Sequence, residues 1–138
     1  MSSTTSDVKI RILVVDDELH ILLGLNALLE RRGHSVKTFD KAASTLEHLT
    51  SVGAQYDLVT TDYRMPGGIS GLDLAKRVKK DARGRKTKVF LITAFDISSL
   101  PEFGEALESE IVDEVLQKPI PNDKLIAIIE KSFLHNNH

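Results

Sequence analysis

The sequence predicts an α/β domain built on one doubly wound sheet of five parallel strands, a (βα)5 arrangement. Two observations carry this. Short apolar runs rich in β-branched residues alternate five times with amphipathic stretches of helical period, as successive βα units require. Polar residues also close four of those runs: Asp16-Asp17 after Ile12-Leu13-Val14-Val15, Asp62 after residues 57–61, Thr93 after residues 89–92, and Lys118-Pro119 after Val115-Leu116. In an open parallel sheet, ligands bind in the crevice outside the carboxyl ends of the strands, so these four signals are expected to converge there.

Residues 9–15 read as a buried strand, because a β-branched run of strand length is bounded by polar residues. The period then changes: Ile21, Leu22, Leu25, Leu28 and Leu29 form a helical stripe, and Gly33 stands where a helix C-terminal stop belongs. Residues 35–39 form a short strand. Asp40 is expected to cap a helix carrying Ala43, Leu46 and Leu49, and residues 56–61 return to strand character. After the loop Met65-Pro66-Gly67-Gly68-Ile69-Ser70 comes a helix with Leu74, Ala75 and Val78, then a charged turn and the strand 87–92. Pro101 and Gly104 oppose a regular helix across residues 98–109, while Leu100, Phe103 and Leu107 supply an apolar face, so a short or broken helix is expected. Residues 114–117 are the fifth strand. Pro121 suits the first turn of a last helix presenting Leu125, Ile128, Ile129 and Phe133. Residues 1–8 are expected to be a disordered segment, residues 9–134 the domain, and residues 135–138 a frayed tail.

Composition narrows the function. A chain of 138 residues buries a core of its own without disulfides or metal staples. With no cysteine there is no thiolate zinc site and no cysteine nucleophile, which fits a reducing compartment; a cytoplasmic location is expected. The polar start lacks the apolar segment of a signal peptide, and no run is long enough to span a bilayer, so no membrane role is expected. The net charge of −2, from 18 basic and 20 acidic residues, gives no reason to expect direct nucleic-acid binding. The basic cluster of Lys76, Arg77, Lys79 and Lys80 reads as a solvated helix face.

Three clustered carboxylates repel one another, so a site holding Asp16, Asp17 and Asp62 needs a compensating cation or raised pKa values. Magnesium suits the set, since it prefers oxygen ligands and is commonly held by one or two carboxylates plus phosphate oxygens. Taken alone, Asp16-Asp17 reads equally well as the cap of the next helix, with Asp17 in that role before Glu18. Asp62, at a strand end facing the pair, is placed as a nucleophile that yields an acyl phosphate on attacking phosphorus. Such transfer depends mainly on positioning and charge neutralisation. The Lys118 ammonium offsets charge on the phosphoryl oxygens, and the Thr93 hydroxyl with nearby N–H groups donates hydrogen bonds to them. Alone, Lys118 reads as a surface charge and Thr93 as a residue satisfying its own backbone. His20 and His34 read as surface or core, and Gly67, Gly68 and Gly71 as loop flexibility rather than a nucleotide fingerprint.

The ordered pattern Asp16-Asp17, Asp62 followed by Met65-Pro66, Thr93-Ala94 and Lys118-Pro119 resembles the receiver domain of two-component response regulators, over nearly the whole chain. The resemblance implies a flavodoxin-like receiver fold and a signalling module rather than a separate enzyme. It implies that Asp62 takes phosphate from a sensor histidine kinase or a histidine phosphotransfer protein. Asp17, Asp62 and the Arg64 carbonyl would bind Mg2+, with Asp16 acting through water. Thr93 and Lys118 would sense the phosphate, the Lys118-Pro119 bond would be cis, and a downstream protein would read the fourth helix, fifth strand and fifth helix. There are three departures. The loop after Met65-Pro66 has one glycine more than the common form, and Pro101 with Gly104 lies in a fourth helix region longer than usual, both bearing on partner contacts. The position three before the lysine, often Tyr or Phe, is Val115, which bears on the usual coupling of threonine movement to an aromatic ring. An aspartyl-nucleophile phosphohydrolase is the competing reading, but such enzymes carry an acid two residues past the nucleophile, where this chain has Arg64. A third is an inert binding module, against which all five key side chains are present.

Overall fold

The computed structural model describes residues 8–52, 55–80 and 86–134; the expected disordered segment 1–8 (but for Val8), the core of the charged turn after the third helix, and the tail 135–138 lie outside them. Five βα units follow in order: β1 (Arg11–Val15), α1 (Leu19–Arg31), β2 (Ser35–Phe39), α2 (Ala42–Val52), β3 (Leu58–Asp62), α3 (Gly71–Lys80), β4 (Lys88–Thr93), α4 (Pro101–Glu108), β5 (Glu114–Gln117) and α5 (Asn122–Leu134). All strand pairs are parallel, in the order β2-β1-β3-β4-β5. The chain reverses direction across the sheet between β1 and β3, the topological switch point where a doubly wound sheet opens a crevice.

Side chains alternate across the central strands. Ile12, Val14, Leu58, Phe90 and Ile92 join Leu22, Leu25, Leu29, Leu125 and Ile129 on one face, packed by α1 and α5. Leu13, Val15, Val59, Val89 and Leu91 join Leu74, Ala75, Val78, Phe103 and Ala106 on the other, packed by α2, α3 and α4. Burial on both faces explains why the central strands read as continuous apolar runs. The edge strands β2 and β5 are half-exposed, so their hydrophobic signal is weaker.

Several local expectations are corrected. Helix α2 starts at Ala42, with the Lys41 carbonyl accepting the Thr45 N–H at 3.2 Å, so Asp40 lies one residue too early to cap it. Its buried alanine is Ala42 rather than Ala43, and Thr45 is buried beside it with its hydroxyl donating back to the Lys41 carbonyl. Pro121 precedes α5, its carbonyl accepting the Leu125 N–H at 3.0 Å. The broken helix appears as expected, as a 3-10 turn (Ile97–Ser99) followed by α4. Pro101 is tolerated because it opens α4, where its missing N–H would have no partner in any case. No helix among the described residues is long and apolar enough to cross a membrane.

Candidate functional site

The carboxyl ends of β1, β3, β4 and β5 bring the expected side chains together. Asp16 follows β1, its N–H held by the Phe39 carbonyl of β2 at 3.1 Å. Asp62 is the last residue of β3, in register with Ile92 of β4. Thr93 ends β4 in register with Gln117, and its carbonyl accepts the Lys118 N–H at 2.7 Å. The Lys118-Pro119 peptide is cis. One carboxylate oxygen from each of Asp16, Asp17 and Asp62 lies within 4.8 Å of the others.

Lys118 bridges two of the three acids, its Nζ donating to Asp16 Oδ2 and to Asp62 Oδ2, each at 3.2 Å. Burial works against its charge, but Asp16 and Asp62 outweigh it and raise the pKa of the ammonium. Burial pushes the Asp62 carboxyl above the ordinary carboxylate range; Lys118 pulls it back, Asp16 pushes it further up, and the Tyr63 amide helps to lower it. Three acids against one ammonium leave excess negative charge, and every donor in the cluster is a hard oxygen. That chemistry fits magnesium and offers no nitrogen or sulfur for zinc.

The acids are not equivalent. Asp16 is 5% exposed and already committed: besides Lys118, its Oδ1 accepts the Glu18 N–H at 2.9 Å. The local turn role expected of Asp17 therefore falls to Asp16, one residue earlier. Asp17 is exposed and, among the described residues, carries no hydrogen bond or ion pair. Thr93 is fully buried, and its Oγ1 accepts the Phe95 N–H at 3.0 Å, which leaves the hydroxyl proton as a donor. Beneath the acids and Lys118, a largely apolar cavity of about 290 Å3 runs between α1 and α5, floored by Val14, Ile21, Leu25 and Leu125.

The glycine reading needs correction. Gly71, the first residue of α3, has an ordinary backbone, but a Cβ there would lie 2.1 Å from the Asp62 carbonyl oxygen and 2.7 Å from Leu91 Cδ1. Its N–H donates to the Tyr63 carbonyl at 2.7 Å. Close packing against the backbone of Asp62 demands this glycine, not flexibility. Gly67 and Gly68 have φ of 101° and 82°, so they are required by a left-handed turn. Ser70 and Asp73 then cap α3 reciprocally, Ser70 N–H to Asp73 Oδ2 at 3.0 Å and Asp73 N–H to Ser70 Oγ at 3.1 Å. That Ser-x-x-Asp signal before an amphipathic helix was legible in the chain; the need for Gly71 was not. His20 is exposed. His34 is buried, with Nδ1 accepting the Ile10 N–H at 3.2 Å and Nε2 2.9 Å from Glu130, a core histidine remote from the acids.

Comparisons with known proteins agree with this geometry. The family model described as response regulator receiver domain matches residues 12–130. Transcriptional regulatory protein FixJ of Bradyrhizobium diazoefficiens is 35% identical over 122 residues, 88% of this chain and 56% of FixJ. The chain thus spans about half the length of that curated relative. Among solved structures, response regulator TrrA of Thermotoga maritima, in complex with Mg2+ and BeF, is 33% identical with a TM-score of 0.70, covering 88% of this chain and 96% of that one. Chemotaxis regulator CheY4 of Vibrio cholerae shares the fold at 21% identity and a TM-score of 0.76, over 90% of this chain and 98% of its own.

Proposed function

The chain belongs to the response regulator receiver domain family, and from that premise we propose that Asp62 is a phosphoacceptor whose modification switches a protein-binding surface. The receiver unit spans residues 9–134, somewhat beyond the matched 12–130. The donor is a sensor histidine kinase or a histidine phosphotransfer protein. An Asp62 carboxylate oxygen attacks the phosphorus, the bond from phosphorus to the donor's imidazole nitrogen breaks, and an acyl phosphate remains. The single observation that carries this reading is the position of Asp62: a half-buried carboxylate at a strand end, opposed by Lys118 at 3.2 Å and grouped with two further acids.

The remaining residues serve that transfer. Lys118, released from Asp62 as the phosphoryl group arrives, pairs with a phosphoryl oxygen, and the Thr93 hydroxyl donates to another. Asp17, Asp62 and the Arg64 carbonyl would hold Mg2+ directly, with Asp16 holding it through water. When bound, the ion neutralises carboxylate and phosphoryl charge. The added charge at the crevice draws Thr93 and Lys118 inward, and a downstream protein reads the result on α4, β5 and α5. The unit acts as a cytoplasmic signalling module, with no turnover beyond its own phosphorylation and dephosphorylation, and binds neither nucleic acid nor membrane directly.

The test is intact-mass measurement after incubation with acetyl phosphate and Mg2+. The wild-type chain is expected to gain one phosphoryl group, Asp62→Asn none, and wild type with excess chelator none. Equal labelling of Asp62→Asn would overturn the assignment.

A further inference from the structure

We propose that Tyr63 is the positioning residue that couples Asp62 to α4 in this chain, tethering the resting helix through Glu102 and driving it through Phe95 and Phe103. The inference rests on the proposed acceptor role of Asp62. Tyr63 is its immediate neighbour and is fastened on four sides. Its N–H donates to the Ile92 carbonyl of β4 at 3.1 Å, and its carbonyl accepts the Gly71 N–H at the start of α3. Its ring meets two others edge-on, Phe95 after β4 with centroids 5.7 Å apart and Phe103 of α4 with centroids 4.9 Å apart. Its hydroxyl donates to the Glu102 carboxylate.

Glu102 and Phe103 form the first turn of α4, and Phe103 is fully buried. A stiff side chain with two rotatable bonds therefore joins the acceptor's own strand end to the helix expected to change. The opposite wall offers no equivalent, since Val115 on β5 has no ring and lies only partly buried against the same core. Tyr63 and Phe95 are partly buried and pack against the core, and Phe103 is fully buried in it, where close packing passes displacement on. A shift of the Tyr63 backbone, as charge is added to Asp62, is carried through the Tyr63–Phe103 ring contact to α4. The Arg64 guanidinium, 5.0 Å over the Phe95 ring, ties the next residue of the acceptor loop to the same aromatic set. The phenol–Glu102 bond gives the unphosphorylated state a defined resting position for α4.

Two measurements test this: phosphoryl uptake at Asp62 by intact mass, and hydrogen exchange across α4 with and without Mg2+ and beryllofluoride. In the unmodified protein Tyr63→Phe and Glu102→Ala should each speed α4 exchange about threefold, and the double variant no further, because both delete the same hydrogen bond, Tyr63→Phe its donor and Glu102→Ala its acceptor. Tyr63→Phe keeps the ring and the fold, so this arm reads the tether alone. Tyr63→Leu should still take up phosphate while its beryllofluoride-induced change in α4 exchange falls at least about fivefold. Coupling through Tyr63 is overturned if Tyr63→Leu takes phosphate and α4 responds as in wild type, or if Tyr63→Phe leaves resting α4 exchange unchanged. Absence of phosphoryl uptake by wild type overturns the acceptor reading itself, and this coupling falls with it.

Discussion

At the scale of single residues, the chemistry of the site depends on unequal burial of like side chains. Asp16 is held by Lys118 and the Glu18 amide, whereas Asp17 is exposed with its carboxylate uncommitted. Asp17→Ala is therefore expected to weaken Mg2+ binding at least about tenfold, as removal of a directly coordinating carboxylate should. Asp16→Ala is expected to weaken it less and to leave Lys118 paired with Asp62 alone; isothermal titration of both variants gives the ranking. Gly71 is the second sensitive point. Any side chain there meets the backbone of Asp62, so Gly71→Ala should cost about 2 kcal/mol, at the scale of overpacking a well-filled interior, and reduce phosphoryl uptake. Chemical denaturation and the mass assay measure the two effects. Asp62, Thr93 and Lys118 were legible as strand-end residues because their types are unusual there. Gly71 was not, because its constraint comes from a neighbouring strand's carbonyl that no local pattern encodes. Tyr63 was hidden for the same reason: its partners stand on β4 and α4.

At the scale of elements, hydrophobic period located all five strands and five helices, and the errors fall at their ends. Asp40 and Pro121 were each displaced by one residue, because the first turn is set by which carbonyl the packed helix can reach rather than by the best capping side chain nearby. The end of α4 carries a sharper signal of tertiary override. Glu110 has φ of 61°, a left-handed position where glycine is favoured, and the Ile111 N–H closes back onto the Ala106 carbonyl at 2.9 Å. Because Glu110 is exposed and outside the site, Glu110→Gly should stabilise the protein by about 1 kcal/mol. Thermal unfolding would show a raised midpoint with unchanged phosphoryl uptake; a lowered midpoint would contradict the strain.

At the scale of the whole molecule, α1 and α5, the two helices of one layer, are tied at the end opposite the site. Arg32, just past α1, makes a two-pronged contact with Glu130 of α5 at 2.6 and 2.7 Å, and Glu130 also takes the bond from His34. His34 Nδ1 accepts the Ile10 amide, so Nε2 carries the hydrogen and the imidazole is the neutral tautomer. Burial opposes the Glu130 charge, yet Arg32 and His34 prevail and hold its pKa below the ordinary 4.5. A carboxylate whose pKa is lowered on folding contributes stability in full above its unfolded pKa, and loses it as pH falls through the folded value. The clasp should therefore stabilise the fold in full at neutral pH and lose that contribution as pH falls below the ordinary 4.5 and through the lower folded value. Glu130→Gln should lower stability by about 1 kcal/mol at pH 7 and flatten the acid dependence, as urea unfolding at a series of pH values would show. The doubly wound topology was legible from alternation alone, since only parallel βα units bury both sheet faces. The clasp was not, because its members are far apart in sequence and His34 alone looks like any core histidine.

All three scales meet in the assignment of Asp62. Borohydride reduction of an aspartyl phosphate leaves homoserine at the modified position, so peptide mapping after acetyl phosphate treatment and reduction identifies the acceptor directly. The expected result is homoserine at residue 62 alone, dependent on Mg2+ and absent from Asp62→Asn. Homoserine at residue 16 or 17, or none at residue 62 in wild type, would contradict it.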